Sequence, residues 1–182
     1  MDLSPMAPTP LDLGALVRTV RDFPQPGIAF RDITPLLATP GALAQVVAHW
    51  TERFAAADVE RVVVIESRGF LFGAPLALAL DAGVVPVRKP GKLPAQTIGE
   101  DYSLEYGTGR LEMHADAVAP GQRVLLVDDV LATGGTLAAT AALVRRAGAH
   151  VVGAAVLIEL IGLDGRARLG DLAVDALLEM PA

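Results

Sequence analysis

Val124-Leu125-Leu126-Val127-Asp128-Asp129-Val130-Leu131-Ala132-Thr133-Gly134-Gly135-Thr136 is the stretch on which the reading of this chain turns. It opens with four consecutive branched aliphatics. A short run that is apolar at every position suits a strand covered on both faces, as in a parallel sheet between helices. It closes on two glycines flanked by two threonines. There a helical pattern begins: Leu137, Ala141 and Val144 share a face, Arg145 and Arg146 fill the last turn, and Gly148 ends it. Free backbone N–H groups, hydroxyl donors and the positive end of a helix dipole make a cradle for one phosphate. Asp128 and Asp129 would repel that phosphate, but they suit hydroxyls or a divalent cation close by. The pattern asks for a molecule with a phosphoryl group at one end and a diol beside it, and a phosphorylated ribose has both. A plain strand–helix turn needs only one glycine and one capping Asp.

Further apolar runs at 62–65, 84–87 and 151–158 read as strands, and 70–80 reads as a helix. Leu43, Val46, Val47, Trp50 and Phe54 lie on one face of a helix of about four turns. Leu13, Leu16, Val17 and Val20 also follow helical spacing and predict a short helix ending near Asp22. The loop Phe23-Pro24-Gln25-Pro26-Gly27 follows, and residues 1–10, with three prolines, read as a loose tail. Strands alternating with helices give an α/β class with a mostly parallel sheet flanked by helices. Residues 89–100 break the alternation, being rich in Pro, Gly and Lys without an apolar period. Tyr102, Leu104 and Tyr106, then Leu111 and Met113, alternate around Gly107-Thr108-Gly109 as a β-hairpin does. Residues 89–114 are therefore expected to form an inserted hairpin lid.

The 182 residues hold 15 Lys+Arg and 21 Asp+Glu, a net charge of −6, with 52% hydrophobic residues and no Cys. That size and composition fit one domain, residues 1–182, and exclude a disordered chain. Thiolate zinc sites and Cys nucleophiles are excluded outright. The acidic balance argues against nucleic acid or an anionic membrane as partner. The first residues carry Asp2 and no basic residue ahead of an apolar run, so a cytoplasmic location is expected. His49, His114 and His150 lack metal-ligand spacing and read as structural. A P-loop is absent, Gly107-Thr108-Gly109 lacks the third glycine of a dinucleotide fingerprint, and the Asp-x-Asp of an acid-pair phosphohydrolase is missing.

The central stretch resembles the phosphoribosyl-pyrophosphate signature of the type I phosphoribosyltransferases. Phe23-Pro24-Gln25-Pro26-Gly27-Ile28-Ala29-Phe30-Arg31-Asp32-Ile33-Thr34-Pro35-Leu36-Leu37 is similar to the N-terminal signature of the adenine-specific members. So are Glu66-Ser67-Arg68-Gly69-Phe70-Leu71-Phe72-Gly73, Arg88-Lys89-Pro90-Gly91-Lys92-Leu93-Pro94 and Tyr102-Ser103-Leu104-Glu105-Tyr106-Gly107. The resemblance runs from about Leu13 to Leu169, in the family's order. It implies a type I phosphoribosyltransferase-like fold and a purine-salvage enzyme that joins adenine to 5-phosphoribosyl 1-pyrophosphate, giving AMP and pyrophosphate with Mg²⁺, commonly as a homodimer.

Carried over residue by residue, the resemblance assigns the ribose hydroxyls to Asp128 and Asp129. The 5-phosphate goes to Ala132, Thr133, Gly134, Gly135 and Thr136, and the pyrophosphate to Ser67, Arg68, Arg88, Lys89 and Lys92. The base falls to Ala29 and Arg31, with Val130 or Leu131 packing on it. Arg68 and Glu105 are the catalytic candidates: Arg68 stabilises the leaving pyrophosphate, and Glu105, in the hairpin, moves the purine ring-nitrogen proton. Mg²⁺ is expected to be held mainly by substrate oxygens and water, with no dedicated protein ligands. The peptide between Glu66 and Ser67 is expected to be cis. The phosphate signature alone leaves hypoxanthine, guanine, xanthine or orotate open as the base. A non-catalytic regulator that senses the sugar diphosphate would need a DNA-binding module or a basic RNA face, and the chain offers neither.

Overall fold

The computed structural model describes residues 10–103 and 108–182. They fall into two compact units, Met1–Gln45 and Val46–Ala182. In the first, a 3-10 turn at Gly14–Leu16 leads into β1 (Arg18–Arg21), which pairs antiparallel with β2 (Ala29–Asp32). A strand thus stands where the spacing of Leu13, Leu16, Val17 and Val20 predicts a helix. Val17, Thr19 and Val20 are β-branched and favour extended backbone. Arg18 also lies in register with Asp32 and forms an ion pair with it. Asp32 accepts from the Thr34 N–H and hydroxyl at the start of α1 (Thr34–Ala38). These bonds, the Thr34 N–H foremost, hold its carboxyl down to about 2. The β1–β2 connection contains a cis Phe23–Pro24 peptide, and the Phe23 ring meets Phe30 edge-on at 5.1 Å.

Next comes α2 (Ala42–Phe54), which buries Val46, Trp50 and Phe54 on one face, as its spacing predicts. The chain continues through β3 (Arg61–Ile65), α3 (Gly69–Ala79), β4 (Gly83–Val87), β5 (Thr97–Ser103), β6 (Thr108–His114), β7 (Arg123–Leu131), α4 (Gly135–Arg146), β8 (His150–Ile161), α5 (Gly165–Leu169) and β9 (Val174–Pro181). Five strands form one parallel sheet in the order β4-β3-β7-β8-β9. Counted along the sheet's own strands this is 2-1-3-4-5. The connections after β3 and β7 therefore leave in opposite directions, and a crevice opens beyond the carboxyl ends of these two neighbours. Val63, Ile65, Val124 and Leu126 pack with Leu137, Leu143 and Val144 of α4 in one core. Val64 and Val127 face α3, whose Gly73 has no room for a Cβ against Val64.

α4 ends as its sequence predicts. Gly148 has φ +86°, its N–H donates to the Arg145 carbonyl, and the Ala149 N–H donates to that of Val144. The hairpin β5–β6 is antiparallel and separate from the parallel sheet. Its first strand starts at Thr97, inside the segment expected to be loop. The ladder with β6 sustains it, and among its described side chains Ile98 and Tyr102 pack on the core. No helix among the described residues is long and apolar enough to cross a membrane.

Candidate active site

β3 accompanies β7 only as far as the pair Val64–Val127, whereas β8 stays with β7 to Leu131. Asp128 and Asp129 therefore lie past the end of one neighbour while their backbone is still held by the other. This is why the strand runs on through the acid pair instead of stopping before it. Both residues are buried, at 8% and 5% exposure. The Asp129 N–H donates to Asp128 Oδ1 at 2.9 Å, and Asp129 Oδ2 stands 2.9 Å from Arg68 Nε. Burial pushes both carboxyls above the usual carboxylate range. The neighbouring Asp129 charge adds to this at Asp128, and the Arg68 guanidinium opposes it at Asp129.

Arg68 arrives from the turn after β3. The peptide between Glu66 and Ser67 in that turn is cis, as expected. α3 starts at Gly69, where a Cβ would come within 2.8 Å of the Val127 carbonyl oxygen and 3.2 Å of Asp128 Oδ1. Only glycine lets the helix begin this close to the acid pair. Glu66 accepts from Arg88 Nε at 3.0 Å and from the Lys89 N–H at 3.1 Å. Burial opposes its charge, but these two donors outweigh burial and hold the carboxyl below its ordinary value.

The loop after β7 closes at Gly134, with φ +78° at the N-cap of α4. A Cβ there would lie 2.4 Å from the Gly165 carbonyl oxygen, and one on Gly165 would lie 2.2 Å from that of Ala132. Two glycine backbones thus pack directly against each other behind the loop. Arg166 anchors the backing segment: its Nε meets both Glu159 carboxylate oxygens at 2.9 and 2.7 Å, and its Nη1 donates to the Val174 carbonyl at 2.9 Å. Residues Val130 to Leu137 enclose a small recess of about 60 Å³ in front of the first turn of α4. The N–H groups of a first helical turn have no partner within the helix.

These parts share one cavity of about 410 Å³. Its wall takes Glu66, Ser67 and Arg68 from the β3 turn, Lys89 from the end of β4, and Asp128, Asp129, Val130, Ala132 and Thr136 from β7 and its loop. Tyr102 and Leu111 come from the hairpin. Thr133, Gly134 and Gly135 form the adjoining recess. Arg88 and Lys92 are absent from the cavity wall. The Arg88 guanidinium is engaged by Glu66, by the Lys92 carbonyl at 3.2 Å and by the Phe70 ring at 5.9 Å. Leu131 is a core residue at 1% exposure, while its neighbour Val130 reaches the cavity. Ala29 and Arg31 lie on β2 of the first unit, where Arg31 donates to the Thr19 hydroxyl. Glu105 lies outside the described residues.

Sequence reasoning passed over Tyr102 as a wall residue, and over Gly69 and Gly165 as packing positions. The glycine pair in Gly162-Leu163-Asp164-Gly165 marks a turn, but which loop it would back cannot be read locally. Among the described residues no three His, Cys, Asp or Glu side chains gather into a metal cluster. The hard oxygens of Asp128 and Asp129 are the donors nearest to one. Of the histidines, His49 Nε2 meets Asp175 Oδ1 at 3.1 Å, away from the cavity wall.

A phosphoribosyl transferase domain family matches residues 36–173. An adenine phosphoribosyltransferase of Acaryochloris marina is 56% identical over 169 residues, which is 93% of this chain and 99% of the relative. The crystal structure of adenine phosphoribosyltransferase from Rhodothermus marinus is 56% identical and superposes with a TM-score of 0.88 over 92% of this chain and 96% of its own. That from Saccharomyces cerevisiae, complexed with D-2,5-dideoxy-2,5-imino-altritol 1,6-bisphosphate and adenine, is 38% identical with a TM-score of 0.86, over 92% and 97% of the two chains.

Proposed function

This chain belongs to the phosphoribosyltransferase family, and from that membership we propose how its residues divide one reaction among them. The enzyme transfers the phosphoribosyl group of 5-phosphoribosyl 1-pyrophosphate to adenine, giving AMP and pyrophosphate, a step of purine salvage. The observation that carries the division of labour is the single cavity walled by the β3 turn, the end of β4 and the β7 loop. An acid pair, an anion cradle and two cations converge there at the crevice of the sheet.

In our reading the ribose 2- and 3-hydroxyls donate to Asp128 and Asp129, and the 5-phosphate accepts from the backbone and hydroxyls of Ala132 to Thr136. Hydrogen bonds to a charged group contribute about 1.5–3 kcal/mol each, so several converging ones anchor the substrate without a dedicated lysine. As the bond to pyrophosphate breaks, the anomeric carbon becomes oxocarbenium-like and negative charge builds on the departing oxygens. Arg68 and Lys89 take that charge with the Ser67 turn, and Arg88 and Lys92 support them from behind Glu66. Val130 packs on the base, Ala29 and Arg31 frame it, and Glu105 handles the purine ring-nitrogen proton; these base contacts rest on the family resemblance.

The donor set fits Mg²⁺ held mainly by substrate oxygens and water, with Asp128 and Asp129 as the nearby hard oxygens. When bound, Mg²⁺ neutralises developing pyrophosphate charge. We read residues 1–182 as one catalytic domain with 1–10 as tail and 89–114 as lid, acting in the cytoplasm. We also propose a homodimer. α3 is apolar on all sides, with Phe72 and Leu76 in the core and Leu71, Ala74 and Leu78 outside, Leu78 at 85% exposure. A helix of that kind needs cover on both faces, and a second copy supplies it.

The test is a base panel. With 5-phosphoribosyl 1-pyrophosphate and Mg²⁺, adenine is expected to give nucleotide at a rate at least a hundredfold above hypoxanthine, guanine and orotate. Turnover of hypoxanthine without adenine would overturn the specificity.

A further inference from the structure

Tyr102 stands apart from every residue assigned above. It sits on β5 of the hairpin yet lines the main cavity together with Ala132 and Thr136, and it also lines a second depression with Gly135 and Ala138 at the first turns of α4. Tyr102 therefore borders both the cavity and the depression beside the first turns of α4. Among the described residues its hydroxyl has no hydrogen-bond partner.

The hairpin is shaped around that ring. Tyr102 is paired across the ladder with Gly109, and a Cβ on Gly109 would lie 2.6 Å from Tyr102 Cζ, 2.8 Å from Cε1 and 2.9 Å from the hydroxyl oxygen. The ring lies flat over the glycine, so any side chain there would lift it. Along α4, Ala138, Ala139 and Ala142 are small enough to let β5 approach. At the far end, Arg146 holds β5 through Glu100 Oε2 at 2.5 Å and the Gly99 carbonyl at 2.6 Å.

We propose that Tyr102 is a substrate-binding residue whose hydroxyl donates to the 5-phosphate seated in the Ala132–Thr136 loop, with Gly109 and Arg146 as the residues that position it. The inference rests on the reading that a sugar phosphate occupies this loop. A neutral phenol at the mouth of a phosphate cradle adds a donor without adding charge, and it makes hairpin placement part of phosphate binding.

The experiment is calorimetric titration of the full chain with AMP, and separately with pyrophosphate and Mg²⁺, for wild type and Tyr102→Phe. AMP carries the 5-phosphate and no pyrophosphate. Tyr102→Phe is expected to weaken AMP about tenfold, the loss of one hydrogen bond to a charged group, with pyrophosphate affinity and Tm unchanged. Gly109→Ala, which keeps the hydroxyl but displaces the ring, is expected to weaken AMP at least as much. Equal AMP affinity in Tyr102→Phe and wild type overturns the proposal, as does equal weakening of AMP and pyrophosphate. A wild type that binds neither AMP nor 5-phosphoribosyl 1-pyrophosphate overturns the parent reading instead.

Discussion

The loop after β7 and the β5–β6 hairpin face one cavity but are held by different forces. Behind the loop lie β8, the Gly134–Gly165 backbone contact and an Arg166–Glu159 pair in which the carboxylate is buried. The hairpin's β6 is fixed by paired backbone bonds between Glu112 and Arg88 and by buried Leu111 and Met113, whereas its β5 is attached by an exposed ion pair, Arg146 with Glu100, and by the partly buried Ile98 and Tyr102. Preorganised dipoles bind an anion without reorganising, so the rigid side suits the phosphate and ribose. Weakly tied segments open at low free-energy cost, so the other side suits a cover that must admit and release substrates.

The sharpest way to break this division is at the acid pair. Replacing both residues, Asp128→Asn with Asp129→Asn, is expected to lower kcat/KM for 5-phosphoribosyl 1-pyrophosphate more than a hundredfold, because two charged acceptors are lost. Stability should move the other way. Both folded carboxyls titrate above the ordinary range, so between about pH 4 and their folded values the native state binds more protons than the unfolded one, and stability falls as pH rises. The double variant should lack that decline, giving a smaller Tm difference between pH 5 and pH 8 than wild type. A steeper decline in the variant would contradict a burial-driven rise in the two carboxyls.

The glycine contact tests the rigid side next. Gly134→Ala places a Cβ against the Gly165 carbonyl at a residue with φ +78°. The expected loss is about thirtyfold in affinity for AMP and about 1–2 kcal/mol in stability, measured by calorimetry and urea unfolding. Gly165→Ala should act similarly although it lies outside the signature, since its Cβ would meet Ala132. If Gly165→Ala bound AMP like wild type, the backing contact would have no part in shaping the loop.

From the hairpin side, Glu105→Gln is expected to lower kcat at least tenfold, about 1.4 kcal/mol, with little change in affinity for the phosphoribosyl substrate. Pre-steady-state turnover is the measurement to use, because a slow step after chemistry would mask a slower chemical step. An unchanged chemical rate would remove Glu105 from the mechanism.

The two regions also differ in how much of them could be read from the chain. β3, β7 and β8 each contain an unbroken apolar run, of Val, Leu and Ile with Gly and Ala added in β8, because a doubly covered strand favours apolar residues at every position, so their place was legible. The acid pair and the Thr-Gly-Gly-Thr loop were legible because they break those runs with chemistry the core does not need. β9 escaped notice: Asp175 and Glu179 interrupt it, as befits an edge strand of intermediate burial. β1 was mistaken for a helix because its partner β2 is drawn from across a proline-rich loop. The wall role of Tyr102 was hidden for the same reason, since it depends on Gly109 in the other strand of the hairpin.

The smallest expected effect belongs to the tie between hairpin and helix. Arg146→Gln removes an ion pair whose partners are 47% and 32% exposed, so its contribution to stability is at most about 1 kcal/mol. The loss should show in substrate binding: KM for 5-phosphoribosyl 1-pyrophosphate is expected to rise about two- to threefold, with kcat held within a factor of two. Raising the salt concentration should shift wild type toward the variant, because an exposed pair is screened. A KM that responds to salt in wild type but not in Arg146→Gln would place the adjustable side of the cavity at this contact. Parallel salt responses would leave the tie without a share in binding.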